Sequence, residues 1–432
     1  MDNLLAGAGK REILFPKEIL PLEGFCEIHD NPHVRIVYIE KEIRFVIVAM
    51  EMVMLPDDLL AECKVMVAEK LQTIPEHVWI HVTHAITTPH SPGGPLIGPG
   101  GEVRPIPEEW KGKIEIDIPR ILEQREMYFA SVKNAVSDAC DSVLDSITEA
   151  QIHVTKGFCD INENRDVETP FGWWIGRHGK GYSNKEMTVV RFDDLQGAPI
   201  GSLVSYGIKP CVIDNAWMRE GKRQISADVT GVACKQAELE LGMPVVFLMS
   251  AAGDQIPNKT VLWDEVTEDG KVISQDLGVE LGLSYVDELG KEMAASIIEI
   301  ANKEEADEVC AEISCSMENF VWQGKARSKM EPSKGTEYVP EREKHIPVSV
   351  LKIGFDLALV STKPEMNAVS EKALQEKSPI ENTLLVTMVD GGMKYMPDQD
   401  SFDKVTWEAL NSMVMPGAAE KFLEVAIGML SK

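Results

Sequence analysis

The chain has 432 residues, 44% hydrophobic and 26% charged, enough for a large buried core in one big domain or two ordinary ones. Lys+Arg 43 against Asp+Glu 70 gives a net charge of −27, which argues against nucleic acid or an anionic membrane as partner and reads first as solubility. The eight cysteines (Cys26, Cys63, Cys140, Cys159, Cys211, Cys234, Cys310, Cys315) form no Cys-x-x-Cys pair and read as reduced core thiols.

In chain order, Val34–Ile39 and Phe45–Met50 read as two strands turned at Glu40–Glu42. Pro56 opens a helix with Asp57 and Asp58 in its first turn and an apolar stripe at Leu59, Cys63, Met66, Val67 and Leu71. A strand follows from Val78 to His84 and runs into a Pro/Gly-rich loop that carries His90. Alternation puts Ile80, Val82 and His84 on one face and Trp79, His81 and Thr83 on the other, so His81 and His84 are not a chelating pair. His84 stands at a strand's C-terminal end, where α/β proteins place ligands. Together with His90 it suggests a metal or acid–base site, against the competing reading of structural histidines.

Leu96–Ile118 is a Gly/Pro-rich excursion, a candidate lid or binding loop, and Pro119 starts a long helix to about Ala150. A hairpin pairs Met187–Phe192 with Ile200–Tyr206. A helix over Ile225–Gly242 turns Val229, Val232, Ala233 and Leu239 inward, and Pro244–Ser250 is a strand buried on both faces. Leu277–Asn302 is helical, Gln323–His345 reads as a surface loop, and Val348–Ser361 is a hairpin turned near Gly354. Glu365 precedes a helix to Lys377, Thr383–Val389 is another buried strand, and Pro416 opens a helix through Leu430. The predicted class is α/β, with mixed β-sheets flanked by helices.

These residues resemble the neutral/alkaline non-lysosomal ceramidases. The matching segments, in order, are Gly7–Ile13, Thr83-His84 with His90–Gly94, Asn164-Arg165, Arg191–Asp194, Ser226–Gly231, Gly253–Asn258, Pro364-Glu365 and Pro416–Glu420. The likeness covers nearly the whole chain and implies a single catalytic domain over 1–432 without that family's C-terminal immunoglobulin-like domain. It implies zinc-activated water cleaving an N-acyl amide. By position, His84, Glu365 and Tyr395 match zinc ligands, His90 a substrate-side acid/base and Arg165 an arginine on the reacting group. Asp254 and Gln255, in the Gly253–Asn258 loop, and Trp407 fall at substrate-binding positions.

The departures matter as much. Lys209 stands where the second zinc histidine is expected, Ile256 where a serine is, and Trp407 where a tyrosine is. Lysine is an ammonium at neutral pH and zinc needs a neutral nitrogen. Two arrangements stay open: a Lys209 ammonium in the metal's place facing Glu365, His84 and Tyr395, or zinc on those three residues alone. Plainer readings stand beside these. Lys209 is then a surface lysine, Arg165 a loop ion pair, Glu365 a helix-dipole residue, His178 plain loop, and Trp173-Trp174 core or pocket wall.

The expectation is a hydrolase acting on an amide or related acyl bond of a small polar substrate, with a catalytically degenerate small-molecule binding protein as the alternative. Met1–Gly7 lacks a signal-peptide pattern and no window reaches transmembrane length without charges, so a cytoplasmic protein with no membrane or nucleic-acid partner is expected. Oligomeric state is open.

Overall fold

The computed structural model describes residues 4–107, 116–214, 216, 223–303, 307–308 and 312–432. Cys310 and part of the Leu96–Ile118 excursion lie outside these. Two mixed sheets pack face to face, and helices cover both outer faces.

The larger sheet contains β1 (Leu5–Glu12), β2 (His33–Glu40), β3 (Arg44–Met50), β4 (Val78–Val82), β5 (Thr148–Phe158), β6 (Glu186–Asp194), β7 (Pro199–Tyr206) and β8 (Val245–Met249). Their order is β8-β7-β6-β5-β1-β2-β3-β4, antiparallel except for the outermost pairs β7/β8 and β3/β4. The smaller sheet, β9 (Ile313–Lys325), β10 (Pro340–Ile353), β11 (Leu357–Ser361) and β12 (Asn382–Val386), also ends in a parallel pair, β11/β12. Each parallel pair is bridged by a helix, as a crossover between parallel strands requires. These are α1 (Asp57–Lys70) between β3 and β4, α3 (Asp228–Leu241) between β7 and β8, and α5 (Ala368–Lys377) between β11 and β12.

Strand alternation assigns the layers. Ala6, Val37, Ile47, Trp79, Ile152 and Val190 point between the sheets and meet Leu351, Leu359 and Val386. The other face of the large sheet, including Ile36, Val48, Ile80 and Val204, is covered by α1, α3, α2 (Ile118–Ser146) and α4 (Val279–Ala301). The small sheet's outer face packs on α5 and α6 (Ala418–Leu430).

The Gly7-Ala8-Gly9 segment has a packing role. A side chain on Gly9 would lie 2.4 Å from the Ala139 carbonyl oxygen, so glycine is what lets α2 cross directly over β1. Ser146 locks that crossing by bonding both the Ala8 amide and its carbonyl, each at 2.9 Å.

Several expectations change. The long helix stops at Ser146, and the next residues form β5, at the middle of the large sheet. Gln323–His345 is not simply a surface loop: its ends belong to β9 and β10, which pair out to Lys325 and Pro340. Leu239 is 76% exposed, whereas Glu238 takes the inner face of α3. The reason is Arg35 on β2, buried and held between Glu238 (2.6 Å) and Glu51, so an ion pair decides which residue of the helix faces inward. Among the described residues seven cysteines are unpaired, five of them buried, but Cys26 is exposed.

Candidate active site

The side chains of interest leave the chain just beyond the C-terminal ends of β4, β7, β8, β11 and β12. Such ends carry no ladder partner, so their backbone is free to turn and present side chains. Here the five ends are stitched together. The Thr387 amide bonds the Met249 carbonyl (3.1 Å), Val82 N the Met388 carbonyl (3.3 Å), and Gly253 N the Met366 carbonyl (2.8 Å).

His81 is the pin of this seam. It is fully buried, its Nδ1–H donates to the Thr387 carbonyl (2.8 Å), and its Nε2 accepts from the Met249 amide (3.0 Å). Both nitrogens are used and burial pushes its pKa down to about 4, so His81 is a neutral structural histidine.

β4 ends at Val82, two residues short of the expected His84. His84 has a left-handed backbone with φ 61°, a conformation rare for a side chain with a Cβ. Its Nδ1 is 2.8 Å from the Val53 carbonyl, which can only accept, so Nδ1 carries the proton and Nε2 is a free base. Nε2 lies 3.4 Å from Glu365 Oε1. Burial holds the imidazole pKa below its usual value, Lys209 adds to this, and Glu365 opposes it.

Lys209, three residues beyond β7, is 1% exposed, with Nζ 2.6 Å from Glu365 Oε2 and 3.0 Å from the Tyr395 hydroxyl. Burial alone would discharge it, but Glu365 and Tyr395 outweigh burial and raise its pKa. For Glu365, burial pushes the other way, yet Lys209 and His84 hold it below the usual carboxylate range. Both are therefore charged at neutral pH. Asp228 fixes the loop after Lys209 by accepting from the Val212 and Ile213 amides at 3.1 and 3.2 Å. The Ser226–Gly231 motif is thus a support for Lys209.

Arg165 joins from the other side. Its Nη2 donates to the Tyr395 hydroxyl (3.3 Å), and its Nε and Nη2 donate to Glu408 (2.8 and 2.5 Å). Its guanidinium lies 5.0 Å from the centre of the Trp407 ring, which meets Tyr395 edge-on at 5.3 Å. Asp254 accepts from Asn164 (2.8 Å) and the Ala368 amide (2.9 Å), and burial raises its pKa to about 7. Gln255 donates to the Tyr182 carbonyl at 3.0 Å. Asp254 lines a separate cavity of about 180 Å³.

The structure thus brings together His84, Lys209, Glu365, Tyr395, Arg165 and Trp407, with Asp254 and Gln255 alongside. His90 does not join them: it is exposed, and its amide and Nδ1 face Glu23 at 2.8 and 3.3 Å. Ile256 is buried next to Gln255 in the strand pairing with Asn162–Asn164. Sequence reading missed Glu408, which is completely buried, and Asp166, whose carboxyl is pushed well up by burial and by Glu408.

Among solved structures, the chain is similar to a ceramidase complexed with C2 (14% identity, TM-score 0.73) and to the neutral ceramidase from Pseudomonas aeruginosa (14% identity, TM-score 0.72). Each match covers 100% of this chain and 75% of the other. The fold is the neutral-ceramidase-like fold. No protein-family model and no curated protein matches the sequence.

Proposed function

We propose that the chain is a hydrolase that cleaves an amide or related acyl bond of a small polar substrate, with the Lys209 ammonium standing where its structural relatives' fold would lead one to expect zinc. The donor set supports this. A zinc ion on His84, Glu365 and Tyr395 would sit against a buried ammonium already 2.6 Å from Glu365, and would need Lys209 to lose its proton or leave. The residues present do not fit zinc while Lys209 is charged.

One observation carries the catalytic reading: His84 Nδ1 is committed to the Val53 carbonyl, which leaves Nε2 as the basic nitrogen, and the side chain lies at an accessible edge of a largely buried cluster. Its side chain is 15% exposed, against 1% for Lys209 and 3% for Glu365. Water reaching Nε2 would give up a proton to it as the water oxygen bonds the acyl carbon. The carbonyl electron pair moves onto oxygen. Lys209 and Arg165 both donate into the Tyr395 hydroxyl oxygen, which leaves the hydroxyl hydrogen to meet that developing charge. As the carbon–nitrogen bond breaks, the imidazolium returns its proton to the departing amine.

A binding protein without turnover is the second reading, favoured by the pairing of each cation with a carboxylate, Lys209 with Glu365 and Arg165 with Glu408. A panel of small N-acyl compounds and esters separates the two. Turnover lost in His84→Ala but kept in His90→Ala supports the hydrolase. Ligand-induced stabilisation with no turnover of any compound supports the binding protein.

A further inference from the structure

A second concave surface lies one residue from the ion cluster. Two hairpins, Asp166–Thr169 with Gly172–Ile175 and Leu262–Val266 with Val272–Asp276, form a groove of about 580 Å³. That is the size of a small-molecule site. Its walls include Val167, Trp174, Ile175, Trp263, Val266 and Arg177. The groove adjoins the segment that carries Arg165: the Gly176 amide bonds the Arg165 carbonyl (2.8 Å), and Trp174 in its wall packs in one apolar cluster with Trp407.

The polar groups in the groove differ in how far they are used. Asp264 accepts from the Trp174 indole (3.0 Å) and the Ser274 hydroxyl (2.7 Å), and Glu265 from the Trp263 indole (3.1 Å) and Gln275 (3.0 Å). These carboxylates hold the tryptophans in place. His178 is taken by Glu163 at 3.0 Å. The exposed Glu168 and the half-buried Arg177 are not held in this way. The Arg177 guanidinium lies 4.7 Å from the Trp263 ring centre, its buried Nε has no hydrogen-bond partner, and no carboxylate pairs with it among the described residues. In a chain of net charge −27, an arginine left without a carboxylate while fixed over an indole is set up for an anion supplied from outside.

We infer that this groove binds the non-reacting part of the substrate, with Arg177 taking a carboxylate and the two tryptophans taking a flat apolar body. The substrate class is then a carboxylate-bearing amide, such as an N-acyl amino acid. Naming it as substrate rests on the hydrolase reading above, whereas the binding itself does not.

The test is calorimetric titration of the His84→Ala protein, in which turnover cannot consume the probe, with N-benzoylglycine and with its uncharged carboxamide. The acid should bind at least about tenfold more tightly, because a charge-assisted bond to Arg177 is gained. Arg177→Met should abolish that preference while still binding the carboxamide as before, and Arg177→Lys should keep part of it. Binding of the carboxamide, with an unchanged unfolding temperature, shows that the variant is folded. Equal binding of acid and carboxamide, no binding of either, or a preference that survives Arg177→Met overturns the inference. An Arg177-dependent preference in a wild-type protein that turns over nothing leaves the inference standing and removes the hydrolase reading instead.

Discussion

At the scale of single residues, Lys209 sets the electrostatics. It holds Glu365 ionised, and after burial its own charge helps keep the His84 pKa below the usual value against the pull of Glu365. Removing one member of a buried ion pair leaves the other uncompensated, so Lys209→Met should cost about 3–5 kcal/mol in urea denaturation. The same change should raise the His84 pKa, since Glu365 is left unopposed, and Lys209→Met/Glu365→Gln should recover most of the stability. A single variant as stable as wild type would show that the pair is not buried as described. The buried carboxyls give a pH signature. Asp254 and Glu371 are each raised to about 7 by burial, so the folded state holds protons that the unfolded state has lost above about pH 4. Their contribution is present below that pH and lost as pH rises towards 7. Glu371→Gln keeps an acceptor for Asn184 and Ser250 and should flatten the decline, gaining stability at pH 8. An unchanged pH profile would contradict the assignment. Of the candidate site, His84, Arg165 and Glu365 were legible because short motifs in fixed order mark them, and Lys209 and Tyr395 only by their position between those motifs. Glu408 was not, because nothing in Thr406-Trp407-Glu408 announces a carboxylate that buries against a residue 243 positions away.

At the scale of elements, the recurring device is a parallel pair at a sheet edge, with a helix crossover and a functional residue past the strand end. Helix crossovers were readable from apolar periodicity, as in the α1 stripe of Leu59, Cys63 and Val67, which does face the core. β5 was hidden because it follows α2 after Ile147 alone, with no glycine or proline to mark the break. β9 was hidden because most of its side chains are exposed, so its polar sequence resembles a loop. Charge alone does not separate a solvated strand from a connection. The α2–β1 crossing gives a direct test. Gly9→Ala places a carbon where the Ala139 carbonyl sits, and either α2 shifts or the strand distorts. A loss of roughly 1–3 kcal/mol is expected by urea denaturation. Full stability in that variant would mean that the helix does not approach the strand this closely.

At the scale of the whole molecule, four layers place five strand ends at one site, and the seam through His81 and Thr387 joins the two sheets there. A mixed α/β protein was legible in the sequence, but two stacked sheets were not. Pairings such as Leu5 with Glu149 link distant segments, and no local pattern records them. The fold is that of neutral ceramidases, and with a net charge of −27 the protein is poorly suited to anionic lipid surfaces. No appreciable turnover of short- or long-chain N-acyl sphingosine is expected, with or without added zinc. Clear turnover that disappears in Glu365→Ala would contradict this. We propose that the Lys209 ammonium takes the place of a metal, and metal analysis of protein purified without chelators is the test. The native chain should hold well under one equivalent of zinc, and Lys209→His, which supplies a neutral nitrogen in place of the charge, should hold it more tightly. A full equivalent of tightly held zinc in the unmodified protein would rule out the lysine in the metal's place.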